Sequence, residues 1–129
     1  MNFIKSGNNQ FWKHKKVLIT GGYGFLGRQV IAKLCSSVKT ADMFLFHKKD
    51  FDLRKEEDVQ KLFSHCGKVD IVIHLAGDVG GIGYNRKFPA DVFYNNLMMN
   101  TLIMEYSRLA GVEKFVGIGT VCSYPKFAS

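Results

Sequence analysis

Three glycines spaced three apart carry the first chemistry in this chain: Gly21, Gly24 and Gly27, in the string Gly21-Gly22-Tyr23-Gly24-Phe25-Leu26-Gly27. They follow the β-branched run Lys16-Val17-Leu18-Ile19-Thr20 and precede a stretch in which Leu26, Val30, Ile31 and Leu34 recur at helical spacing. A strand turning through glycines into a helix presents unpaired N–H groups and the positive end of the helix dipole, which is chemistry for an anion and above all for phosphate. Gly21 permits the tight turn, Gly24 removes a Cβ from the path of a pyrophosphate, and Gly27 lets helix and sheet approach closely. Thirteen glycines in 129 residues would throw up such a string by chance. Its weight comes from lying between a strand and a helix in the first βαβ unit, where a dinucleotide fingerprint belongs. Tyr23, Phe25 and Leu26, set among the glycines, join them as candidate cofactor contacts.

About twenty residues further on, a dinucleotide site built for NAD places an acid against the ribose 2′-hydroxyl. Here the second strand, Met43–Phe46, runs into His47-Lys48-Lys49, and the first carboxylate is Asp50. Cations at this point suit a 2′-phosphate, so the expected cofactor is NADP, with NAD as the alternative. The plain alternative is a solvated basic loop. Asp52 and Leu53 come next, where a side-chain acceptor reaches an adenine amino group.

The elements that must hold these groups alternate. Strands are expected at Lys16–Thr20, Met43–Phe46, Val69–Leu75 and Lys114–Ile118. Helices are expected from Phe25 to Val38, from about Asp52 to Cys66, and from Ala90 to Ala110, with a glycine-rich loop over Gly77–Gly83. The order βαβαβαβ makes the fold class α/β, a Rossmann-like three-layer sandwich on a parallel sheet that stops after about its fourth strand. Residues 1–15 read as a polar N-terminal extension and 16–129 as the nucleotide-binding domain. With 47% hydrophobic and 22% charged residues the chain is neither disordered nor a membrane span. The opening residues lack the apolar run of a signal peptide. Three cysteines without metal-type spacing point to a reduced, cytoplasmic protein. The net charge of +7 fits phosphorylated small molecules as well as nucleic acid, and no basic-aromatic motif of the common nucleic-acid readers is present.

The segment Thr20–Gly27 resembles the extended short-chain dehydrogenases/reductases, a group of nucleotide-sugar epimerases, dehydratases and reductases. Three further segments narrow the resemblance to its GDP-L-fucose synthase branch: His74-Leu75-Ala76-Gly77-Asp78-Val79-Gly80-Gly81-Ile82; Pro89-Ala90-Asp91 followed by Tyr94, Asn96 and Met98; and Gly119-Thr120-Val121-Cys122-Ser123-Tyr124-Pro125-Lys126. The resemblance implies that the three glycines hold the NADP pyrophosphate. It places Tyr23 and Lys48 near the 2′-phosphate. Asp52 and Leu53 then flank the adenine, and Leu75, Ala76 and Gly77 line the passage of the cofactor at the end of the third strand. It makes Thr120 the catalytic hydroxyl on the substrate oxygen and Cys122 the acid/base beside the ketone during epimerisation. The bland readings are a turn residue for Thr120 and a small buried hydrophobe for Cys122. His74 belongs to the strand, and Phe93, Leu97, Met98, Leu102 and Met104 are expected in the core.

Hydride transfer in that family uses a Tyr-x-x-x-Lys pair on one helix face. Tyr23, Tyr84, Tyr94, Tyr106 and Tyr124 have Gly27, Phe88, Met98, Ala110 and Ala128 four positions on, so the pair is absent here. The resemblance therefore implies the cofactor-binding part of an enzyme whose nucleotide-sugar half lies outside the sequence. A non-catalytic dinucleotide module is the alternative. A half sheet with an open edge and an apolar helix surface is expected to self-associate, giving a homo-oligomer.

Overall fold

Residues along Val17–Thr20 and Ile71–His74 point alternately to the two sides of a sheet, and all of them are apolar or internally bonded, so both sides must be covered. The computed structural model, which describes residues 9–39 and 42–120, covers them with helices. The elements are α1 (Asn9–Trp12), β1 (Val17–Thr20), α2 (Phe25–Leu34), β2 (Met43–Phe44), α3 (Glu56–Cys66), β3 (Ile71–His74), α4 (Ile82–Lys87), α5 (Pro89–Leu109) and β4 (Lys114–Gly117). The four strands form one parallel sheet in the order β2-β1-β3-β4. The fold is the expected α/β, Rossmann-like arrangement of helices on a parallel sheet.

Alternation sorts the core into two clusters. Val17, Ile19, Ile71 and Ile73 face α2 with Leu34, Val38 and Met43. Leu18 and Val72 face α3 and α5, meeting Leu53, Val59, Leu62, Phe63 and Ile103. At the end of the sheet where the strands begin, Asp70 is buried at 3% exposure. It accepts from the Lys16 amide at 2.8 Å and pairs with Lys68 at 2.9 Å. Those bonds, the backbone one first, hold its carboxyl below the usual range.

Several boundaries differ from the sequence reading. The end of the N-terminal extension is helical at Asn9–Trp12, and Trp12 packs against the α2-side cluster. The polar lead-in concealed it because one turn of helix is too short to show a period. Of the second strand only Met43 and Phe44 pair with β1. α3 begins at Glu56 rather than near Asp52, because Asp52 holds a turn: its carboxylate takes the Arg54 amide, and its own amide goes to Asp58. The glycine-rich loop closes at Gly81, where α4 starts. Phe93, Leu97 and Met104 are not core: they are 68%, 49% and 56% exposed. α5 is apolar around much of its circumference. It packs through the face carrying Ile103 and Ser107, and among the described residues nothing covers the face carrying the other three.

Candidate functional site

The connection from β1 leads outward to β2, and the next returns across β1 to β3, so the winding reverses between β1 and β3. Clefts for ligands in such sheets open at that point, beyond the carboxyl ends of the strands. A cleft of about 550 Å³ opens there, a size that takes a cofactor.

Its floor is the glycine turn. Gly21 has φ +68°, and a Cβ on it would lie 2.7 Å from the Ala76 amide nitrogen, so the turn and the end of β3 pack backbone to backbone. A Cβ on Gly27 would come within 2.3 Å of the Gly21 carbonyl oxygen and 2.5 Å of that of Gly22. Its lack of a side chain thus serves the turn more directly than the sheet. At Gly24 the constraint is mild, 3.2 Å to the Gly21 oxygen. α2 starts here with Gly24 as its N-cap, no side-chain cap and no acid in its first turn. The first amides of α2 are offered to the cleft with no internal acceptor beside them.

Every cofactor position expected from the sequence lines this one cleft: Gly21 to Gly27 without Gly22, then Lys48, Asp52 and Leu53, then Leu75 to Gly77. Thr120 follows β4 at the same end of the sheet and is exposed, outside the lining. Cys122 lies outside the described residues.

Three polar features of the walls had no counterpart in the sequence reading. The first is a ring stack. Tyr23 and His47 lie face to face with centroids 3.9 Å apart and planes 7° from parallel.

The second is a relay across the cleft. Arg54 grips both oxygens of Asp52, Nε to Oδ1 at 2.9 Å and Nη2 to Oδ2 at 2.7 Å, and reaches Asn95 Oδ1 at 3.3 Å. Asn95 Nδ2 donates to Asp78 Oδ2 at 2.7 Å. The Arg54 guanidinium holds the Asp52 carboxyl at about 2, with Lys48 adding a smaller electrostatic pull. Asn96 clamps the backbone of Asp78, accepting from its amide and donating to its carbonyl, each at 2.8 Å. The signal available in the sequence was Asp52-x-Arg54, a spacing at which an Asx turn folds an arginine back onto the acid.

The third lies beneath the floor. The Thr20 hydroxyl accepts from the Leu75 amide at 3.2 Å and the Ala76 amide at 3.1 Å, and lies 2.6 Å from His74 Nδ1. With both lone pairs engaged, its proton goes to Nδ1. His74 therefore carries its own proton on Nε2 and donates it to Asn100 Oδ1 at 2.8 Å. Burial pushes the imidazole below its ordinary value, which keeps that neutral tautomer. His74 lies in β3 beneath the cleft, outside its lining.

The profile of the NAD dependent epimerase/dehydratase family matches residues 17–129. The chain belongs to that family. Among its curated relatives, GDP-L-fucose synthase of Sinorhizobium fredii is 36% identical over 115 residues, covering 89% of this chain and 36% of that one. A GDP-mannoheptose C4 reductase from Campylobacter jejuni, solved with NADP bound, superposes with a TM-score of 0.80 at 28% identity, over 89% of this chain and 36% of its own. A GDP-L-fucose synthetase from Naegleria fowleri bound to NADP gives 0.76 at 28% identity, over 90% and 37%. The chain spans about a third of the length of the curated relatives it matches. Among the described residues no helix is long and apolar enough to cross a membrane, and no group of His, Cys, Asp and Glu is disposed to hold a metal ion.

Proposed function

We propose that this chain is the NADP-binding portion of a GDP-sugar epimerase/reductase similar to GDP-L-fucose synthase, acting in the cytoplasm. What supports the reading is the convergence of all the expected cofactor positions on one cleft at the winding reversal of the sheet. The cleft fits the group: a tightly turned glycine floor, an uncapped helix start for the pyrophosphate, and Lys48 for negative charge. When bound, NADPH supplies the hydride for a 4-keto sugar. In this reading the amides at the start of α2 hold the pyrophosphate, and Lys48 faces the 2′-phosphate beside Tyr23. Asp52, kept ionised by Arg54, takes the adenine amino group next to Leu53. The backbone of Leu75, Ala76 and Gly77 guides the nicotinamide half toward Thr120, whose hydroxyl holds the substrate oxygen, and Cys122 exchanges a proton at the neighbouring carbon.

The test is calorimetric titration of the chain with NADPH and NADH in parallel. Binding of NADPH at least about tenfold tighter than NADH is the expected result, since one charge-assisted hydrogen bond is worth about that. Binding of neither removes the reading. The alternative reading is a dinucleotide module without catalysis. NADPH oxidation by this chain with a 4-keto GDP-sugar would exclude it. The exposed apolar face of α5 supports self-association as a homo-oligomer, which the concentration dependence of sedimentation tests.

A further inference from the structure

Lys48 is the cation that the sequence offers for a ribose 2′-phosphate, and its neighbour His47 has been given no task. The geometry gives it one. Tyr23 comes from the glycine turn between β1 and α2, and His47 from the loop after β2. Their rings meet face to face at 3.9 Å and 7°, joining two separate walls of the cleft. Both residues are anchored through their backbones. Arg28 Nε donates to the Tyr23 carbonyl at 3.1 Å, and the His47 amide donates to Asp50 Oδ2 at 2.9 Å.

A ring held flat on another has its free valences only in its own plane, so the His47 nitrogens and the Tyr23 hydroxyl act at the edges of the stack. The lining of the cleft thus holds a phenol and an imidazole stacked on each other, with Lys48 the next residue in the chain. Three donors of this kind complement a phosphate monoester, which carries three acceptor oxygens and close to two charges. A ribose hydroxyl has one oxygen and no charge to offer them.

Resting on the reading that the cleft takes NADP, we propose that His47 is a specificity-determining residue: pinned against Tyr23, its imidazole works with Lys48 to select a ribose 2′-phosphate over a 2′-hydroxyl. The stack holds the imidazole in place, and the hydrogen-bonding edge does the reading. His47 is exposed, so its replacement leaves the core untouched.

The experiment uses adenosine 2′,5′-bisphosphate and 5′-ADP as probes, which differ at the group in question, alongside NADPH and NADH. Their dissociation constants are measured for the wild-type chain and for the His47→Ala, His47→Arg, Tyr23→Ala and Tyr23→Ala/His47→Ala variants. His47→Ala is expected to lower the preference for the 2′-phosphorylated probe by about tenfold, the worth of one hydrogen bond to a charged group. His47→Arg restores it. Tyr23→Ala lowers it as well, and the double variant falls no further than the more damaging single one, as coupled partners do. A wild-type preference for NADPH that survives His47→Ala unchanged overturns the assignment and leaves the NADP reading standing. So does an equal loss for both probes, which would make the ring a wall for adenine. A wild-type chain with no preference removes the NADP reading itself, and this assignment with it.

Discussion

Replacing Thr20 by valine deletes one oxygen and almost nothing else, which makes it a clean probe of the network beneath the cleft. Thr20 is fully buried, and its hydroxyl serves the amides of Leu75 and Ala76 and His74 Nδ1. The Leu75 amide also reaches the Thr20 carbonyl at 3.1 Å, so it keeps a partner after the change. The Ala76 amide and His74 Nδ1 lose theirs inside the protein. Each such orphan costs about 1–3 kcal/mol, and the added methyl returns about 1 kcal/mol, so the expected loss is about 3 kcal/mol. For 129 residues that lowers Tm by about 10 °C. The assay is urea unfolding followed by far-UV circular dichroism, with Thr20→Ser as the control. Serine keeps the hydroxyl and gives up one methyl, for about 1 kcal/mol. A valine variant as stable as wild type refutes the hydrogen-bond reasoning. So does a serine variant that falls as far as valine, because the methyl would then be what matters.

His74 should make stability fall with acid. Burial lowers its folded value, so between that value and the ordinary 6.5 the unfolded chain binds more protons, and stability declines as pH drops below about 6.5. Unfolding free energies between pH 7.5 and 5.5 should rise with pH, with a slope from this group of at most about 1.4 kcal/mol per unit, and His74→Gln should flatten it; an unchanged slope rejects the neutral tautomer. Gly27→Ala drives a Cβ to 2.3 Å from backbone oxygen and should cost about 3 kcal/mol. Gly24→Ala, at 3.2 Å, should remain folded yet lose dinucleotide affinity, so a Gly24→Ala variant that binds NADPH normally would place the pyrophosphate elsewhere.

The sheet was legible because Val17–Thr20 and Ile71–His74 are short continuous apolar runs between turn signals, a pattern that tertiary context seldom overrides. The glycine turn was legible because each glycine has a local reason to be one. The relay from Asp52 through Arg54 and Asn95 to Asp78 bonds residues up to 41 positions apart in sequence, and no periodicity encodes which side chains meet across a cleft. The Tyr23–His47 stack is the same case: two polar-edged rings on separate loops become neighbours only when β1 and β2 pair. Phe93, Leu97 and Met104 misled for the opposite reason. Hydrophobicity marks what a helix prefers to bury, whereas burial depends on what stands opposite, and α5 meets the rest of the described residues on one side only.

The start of α2 has glycine as its N-cap and no side chain to bond its first amides, so on the proposed function the bound cofactor would contribute to the chain's stability. A ligand that binds the folded state alone raises stability by RT ln(1 + [L]/Kd), about 2.7 kcal/mol at a hundredfold excess over Kd. A self-capping helix would need no such help, whereas under the proposed function the pyrophosphate completes the first turn here. Wherever unfolded protein is cleared by proteolysis, the abundance of this chain would then rise and fall with the supply of that anion, independently of any turnover it catalyses.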